Sequence, residues 1–294
     1  MALKFELVKP TGELLELTNP YRLRDIDGLG MSPLEHRSQR GPFQHGETYL
    51  SSWLRPRTVT FSLALTGTQL SVWERRAALV ALMVSLEDGF ELLATLPDGS
   101  ERKIALRYLR GLEMAVRQEH WIRYQPVAFQ AVAHRPLWFD PDEVLWGYAL
   151  EAGCGDWAFP LGFPEGFGTS MIDVVEVKQY FGTWMAFPTI TVDGPITNLV
   201  IENETTDEKL DFTGYTLASG QTMTIDLRYG YKTVEREDGS SLIDKLTTDS
   251  DLGTWHIAAH PEATDGYNTI AVQGSNADLN TQISFQFYTQ YAGI

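Results

Sequence analysis

The groups in this 294-residue chain that could bind metals or break bonds are six histidines, 39 Asp and Glu residues and one cysteine. The histidines are His36, His45, His120, His134, His256 and His260. A zinc site needs them on one face, as in HExxH, or paired with cysteines. Only "HIAAH" spaces two by four, His256 and His260. That spacing shares a face on a helix, but the segment reads as strand and turn. Cys154, in "LEAGCGDWAF", has no second thiol, so no intrachain disulfide forms, and no neighbouring motif activates it. Asp249 and Asp251 in "TTDSDLG" are spaced as in a calcium loop but lack the downstream bidentate Glu. No carboxylate pair is marked out for work across a glycosidic bond. GxSxG, Walker and GxGxxG motifs are absent, and "GLG" at 28–30 lacks a strand-to-helix context. These residues predict no catalysis, no metal and no cofactor.

Two sets of residues suit binding instead. Trp184 and Trp255 lie in the β-rich second half, where an exposed indole could stack on a sugar ring. Arg37, Arg40, Arg55 and Arg57 bracket an Arg- and Gly-containing stretch beside Tyr49 and Trp53. Arginine mixed with Tyr and Trp is the composition enriched at protein–protein contacts. Trp53, Arg55, Arg57, Arg37 and Arg40 are therefore the expected subunit-interface residues. On this reading Arg57→Glu leaves a folded chain that assembles poorly.

The elements that must position these residues read as mostly strands. Hydrophobic residues make up 43% of the chain and aromatics 12%, enough for a sizeable core with a bias toward sheet. The hairpin "LKFELV"–"KPTG"–"ELLELT" opens the chain, and 19–46 reads as a long irregular loop. In "RTVTFSLALTG", Val59, Phe61, Leu63 and Leu65 alternate toward a core. "LSVWERRAALVALMVSLEDG" gives the one strong helix signal. Ser71 and Glu74 make its expected capping box, and Val72, Leu79, Met83 and Leu86 its expected buried face. "FELLATL", "ERKIALRYL" and "WIRYQPVAFQAVA" continue the sheet. The stretch 140–170 is rich in Gly, Pro and aromatics and reads as an ordered linker. Short strands then recur from "MIDVVEV" to "QISFQFYTQY", including "TWHIAA", as in a β-sandwich.

Charge divides the chain at the same place. Residues 1–140 hold 17 Lys/Arg against 16 Asp/Glu, and 141–294 hold 6 against 23. Two domains follow, 1–140 and 141–294, the second too poor in cations to grip phosphates. The N-terminus lacks an apolar signal region, and the longest apolar run, 77–86, is about half a membrane span. The expectation is a cytosolically made protein with no membrane partner.

The order of these parts resembles the distal tail protein of long-tailed bacteriophages (Dit-like). The resemblance rests on "GLG", "RTVTFSLALTG", "ERRAALVALMV", "HRPLWFDP" and "FPTITVDGPITNLVIENETTDEKLDF", with "LASGQTMTIDLRYGYKTV" placing Gly220 and Asp226. In "WHIAAHPEATDGYNTIAV", the insertion "HPEATDGYN" replaces the family's compact turn. The resemblance implies an N-terminal split β-barrel with one α-helix, followed by a C-terminal galectin-like β-sandwich. It implies a six-fold ring (a homohexamer) that continues the tail-tube channel. The implied partners are the tail tube protein, a baseplate hub or tail-associated protein, and a fibre or receptor-binding protein. DNA would pass through without specific binding, and the protein would sit in the virion, at the tail tip. A near-neutral first part suits a DNA conduit, because cationic walls would hold phosphates. The alternative reading is a carbohydrate-binding module on a structural N-domain.

Overall fold

The computed structural model describes residues 3–84, 88–114, 124–149 and 171–294. The chain forms two compact units, Met1–Pro141 with Tyr291–Ile294, and Asp142–Gln290. Sequence reasoning placed all of 141–294 in one domain. The last four residues instead belong with the first unit, where the Arg57 guanidinium donates to the Ala292 carbonyl and Tyr291 packs in the core.

The first unit contains β1 (Lys4–Val8), β2 (Leu14–Glu16), β3 (Tyr21–Asp27), β4 (Leu34–Gln39), β5 (Thr48–Leu54), β6 (Arg57–Thr66), α1 (Gln69–Met83), β7 (Phe90–Thr95), β8 (Glu101–Gly111), β9 (Tyr124–Ala133) and the start of β10 (Trp138–Ala149). The opening hairpin forms as its alternation dictates, with β1 paired to β2 and, on its other edge, to β7. Strand β8 links two layers. Glu101 to Leu106 pair with β7, and from Arg107 onward the strand pairs with β9. That change of partner turns the sheet a corner and encloses a core. Strand β6 lies between β9 and β3, and Val59, Phe61, Leu63 and Leu65 are all fully buried. Phe61 stacks on Phe129 with ring centroids 4.6 Å apart. Each such side chain contributes about 1.5–3 kcal/mol by leaving water.

Two local expectations need correction. The helix is capped by Thr68, whose side chain accepts from the Ser71 amide at 3.4 Å. Strand β6 ends at Thr66 and Gly67 turns the chain, so the helix starts before Ser71, whose hydroxyl donates back to the Thr68 carbonyl. Its buried face is Val72, Leu79, Leu82 and Met83; Leu86 lies outside the described residues. The stretch 19–46 is not an irregular loop, because it holds β3 and β4. A bulge between Leu23 and Asp25 shifts the phase of β3 by one, so Leu23 and Ile26, three apart, both pack on the core. That shift hides the alternation in the sequence.

The second unit carries β11 (Met171–Gln179), β12 (Thr189–Asp193), β13 (Ile196–Asn203), β14 (Glu208–Asp211), β15 (Thr216–Leu217), β16 (Thr222–Asp226), β17 (Thr233–Arg236), β18 (Tyr267–Ser275) and most of β19 (Gln282–Tyr291). One layer runs β17-β16-β12-β19 and the other β11-β18-β13-β14, with β15 beside β13. Phe212, Ile190, Ile225, Val272 and Phe285 are among the side chains of its core. The expected linker begins as strand: β10 continues to Ala149, with Tyr148 edge-on to Phe285 at 5.2 Å, and 150–170, with Cys154, lie outside the described residues. The expected strand in "TWHIAA" is reduced to one bridge, Ala186 to Ile257. Buried amides replace the missing neighbour. Asn203 donates to the His256 carbonyl at 2.9 Å, and Asn268 both accepts from the Ala258 amide and donates to its carbonyl. The buried backbone is thus satisfied without a ladder.

Candidate subunit-interface region

Among the described residues, strands β4 and β5 pair only with each other, from Leu34 opposite Leu54 to Gln39 opposite Thr48. All thirteen residues are exposed except Leu54, which is half-buried. An isolated two-stranded ribbon is marginally stable in water and has no layer to cover it. This one nevertheless holds Leu34, Tyr49, Leu50 and Trp53 in solvent, with Phe43 fully exposed at its tip. Polar groups stiffen it, among them Ser38 bonded to Glu47 and Gln44 Nε2 donating to Thr48 Oγ1 at 2.8 Å. Glu35 pairs with Arg55 at 3.3 Å, the Tyr49 hydroxyl donates to Ser52 at 2.9 Å, and Arg40 Nε donates to the Gln44 carbonyl at 3.3 Å. Trp53, Arg55, Arg37 and Arg40 thus lie on, or at the end of, one exposed arm. Sequence reasoning missed Leu34, Leu50 and Phe43. Their signal was present, three large apolar side chains in a stretch with no core-facing period.

Arg57 does not belong with that set. It is 1% exposed, and its guanidinium is spent inside the first unit. Nε donates to Ser32 Oγ at 3.1 Å, Nη1 to the Gly28 and Leu29 carbonyls at 3.2 and 2.8 Å, and Nη2 to the Ala292 carbonyl at 2.5 Å. All its acceptors are neutral, so burial lowers its pKa, to about 10, which still leaves it charged at neutral pH. "GLG" is thereby explained as a cradle. Gly28 has φ +90°, and a Cβ there would lie 2.2 Å from the Thr58 carbonyl oxygen. The expectation that Arg57→Glu merely weakens assembly is overturned, because a carboxylate there would face four oxygens.

The helix presents a second exposed apolar surface. Leu70, Trp73, Val80 and Val84 are exposed on α1 or just beyond its end, while Arg76 lies over the Trp73 ring at 4.3 Å. Their spacing of three, seven and four puts them on one side of the helix.

The second unit settles the remaining candidates. Trp255 is fully buried in the sandwich core, tilted against Phe285, and cannot stack on a sugar. Trp184 is half-buried at a bridge to Gln290, and its carbonyl accepts from the Tyr180 hydroxyl. His256 and His260 do not share a site. His256 is buried, with Nε2 3.0 Å from Glu262 and Nδ1 near the Thr254 carbonyl and Glu208, while His260 is exposed. Burial opposes the imidazolium of His256, but the hydrogen bonds to Glu262 and Thr254 outweigh it and raise the pKa. Asp249 pairs with Lys209 at 2.6 Å, which with Thr247 holds its pKa down to about 2. Asp251 accepts from the Lys209 amide, so these two carboxylates tie their loop to β14. Among the described residues no group of His, Cys, Asp and Glu is arranged to hold a metal.

The chain is similar in structure to the Dit protein of SPP1 (gp 19.1), described as a paradigm of the hub adsorption apparatus in phages infecting Gram-positive hosts. The TM-score is 0.60 at 14% identity, covering 96% of this chain and 98% of that one. A chain of the phage P2 baseplate in its activated conformation with Ca is matched over 100% of both chains, at a TM-score of 0.46 and 9% identity, a likeness too low to carry an argument. No family model and no curated protein matches the sequence. From one end to nearly the other, then, these residues build a Dit-like fold, mainly β with one described helix.

Proposed function

We propose that the chain is a structural hub of a phage tail tip, a six-fold ring built by the first unit. The ring would continue the tail-tube channel, and the second unit would anchor a fibre or receptor-binding protein. The observation that carries this reading is the uncovered β4–β5 ribbon. Five large apolar side chains on an arm with no layer of its own have a physical reason to be there when a neighbouring copy covers them. A closed ring gives each arm a neighbour and leaves none over. The exposed side of α1 is a second contact available to a neighbouring tail component. The reading needs no chemistry from His256, Asp249 or Asp251, which already make hydrogen bonds and ion pairs within the second unit. The test is light scattering at several concentrations with negative-stain imaging of the full chain. Wild type is expected to form rings, and the Leu50→Ala/Trp53→Ala double variant to stay monomeric with an unchanged melting temperature. Rings persisting in the double variant, or a wild type monomeric at every concentration, would overturn the proposal.

A further inference from the structure

The stretch "HPEATDGYN" (260–268) forms one wall of a groove in the second unit. The groove has a volume of about 550 Å³ and is lined by Gln179, Tyr180, Phe181 and Gly182 on one side and His260, Asp265, Gly266 and Tyr267 on the other. Its rim is aromatic, with Phe181 72% and Tyr267 49% exposed. Its polar lining comes from Asp265, His260, Gln179 and the Tyr267 hydroxyl.

The floor is rigid. The Tyr180 amide donates to the Gly266 carbonyl at 2.8 Å, and the Tyr180 hydroxyl donates to the Trp184 carbonyl while accepting from the Gln290 amide at 2.8 Å. Tyr180 is buried, and its ring passes so close to Gly182 that a Cβ there would lie 2.3 Å from it. Gly266, at φ +74°, lies equally close to the Tyr180 carbonyl, 2.1 Å from a built Cβ. Gln179 Nε2 donates to the Asp265 carbonyl at 3.2 Å and ties the two walls together. Two glycines that admit no side chain and a doubly bonded tyrosine thus fix the backbone from which Phe181 and Tyr267 project, so the walls need no ordering when a ligand arrives.

We propose that this groove binds a neutral saccharide. Exposed aromatic rings offer flat apolar faces for the C–H side of a pyranose, and an amide, an imidazole and a carboxylate answer the donor and acceptor pattern of adjacent hydroxyls. The class is neutral because Asp265 stands in the groove, in a half of the chain that holds 6 Lys/Arg against 23 Asp/Glu. A uronate or phosphate would meet repulsion and find no arginine or lysine among the lining residues. The site replaces the buried Trp255 with surface aromatics that sequence alone did not mark. It stands apart from the ring reading, since none of its residues lies in the β4–β5 ribbon or α1.

The test is saturation-transfer NMR on the full chain with maltotriose, lactose and triacetylchitotriose, and with glucuronate as the anionic control. At least one neutral sugar is expected to receive magnetisation, with millimolar affinity, while glucuronate does not. Phe181→Ala and Tyr267→Ala, both at exposed positions, are each expected to weaken binding tenfold or more with the melting temperature unchanged. Absence of transfer to all three neutral sugars, binding of glucuronate alone, or undiminished binding in the Phe181→Ala/Tyr267→Ala double variant would overturn it. Ring formation, read separately by light scattering, is expected to be the same in all variants.

Discussion

Strands β5 and β6 are separated by two residues, Arg55 and Pro56, and have opposite fates. Strand β6 is paired on both edges and sends four apolar side chains into a core where none is exposed. Strand β5 is paired on one edge and leaves Tyr49, Leu50 and Trp53 in water. Hydrophobic content does not separate them, since both are rich in large apolar groups. What separates them is period and neighbours. In β6 every second residue is apolar, so one face can be sealed; in "TYLSSWL" the apolar residues fall on both faces, and no single layer could cover them. The first pattern describes a strand that one chain completes. The second describes a strand that this chain leaves open, and the proposed ring contact rests on it.

The contrast can be broken most sharply at Phe61. Phe61→Asp removes a stacked ring and leaves a charge in a dry core, a combined loss of more than about 5 kcal/mol, of the order of a whole domain's stability. The expected outcome is insoluble or unfolded protein by circular dichroism; a native-like spectrum would show that β6 is not the keystone of its layer. At the junction, Arg57→Met orphans four acceptors and is expected to cost about 3 kcal/mol, seen as a lower urea midpoint for the first unit. A change below about 1 kcal/mol would return Arg57 to the surface set. On the ribbon side, Arg55→Ala breaks an exposed pair with Glu35 and should change stability by less than about 1 kcal/mol, within the range typical of such pairs. A larger loss in thermal melts would mean that the arm is held from within the chain.

The parts of the fold legible in the sequence were those with an unbroken period. Val59 to Leu65, the β1–β2 hairpin and most strands of the second half declared themselves by alternation. The hidden parts each had a physical cause. A bulge at Leu23–Asp25 shifted the phase of β3. Asn203 and Asn268 satisfied a backbone that looked like strand. A buried guanidinium, Arg57, read as surface because arginine so rarely satisfies itself on neutral carbonyls, and its acceptors lie 28, 29 and 235 residues away. Of the residues proposed for contacts, Trp53, Arg55, Arg37 and Arg40 were readable from composition as a candidate set. Phe181 and Tyr267 were not, because the groove exists only once "HPEATDGYN" folds back beside the end of β11.

The bond from Arg57 to the Ala292 carbonyl has a consequence for biogenesis. The second unit is inserted, in sequence, within the first, so Arg57 emerges from the ribosome long before its last acceptor is translated. At about 5–20 residues per second, the intervening 235 residues take roughly 12–47 s. Throughout that interval the nascent first unit holds a cation with one partner still unmade, and a chaperone or a premature neighbour has its longest opportunity there.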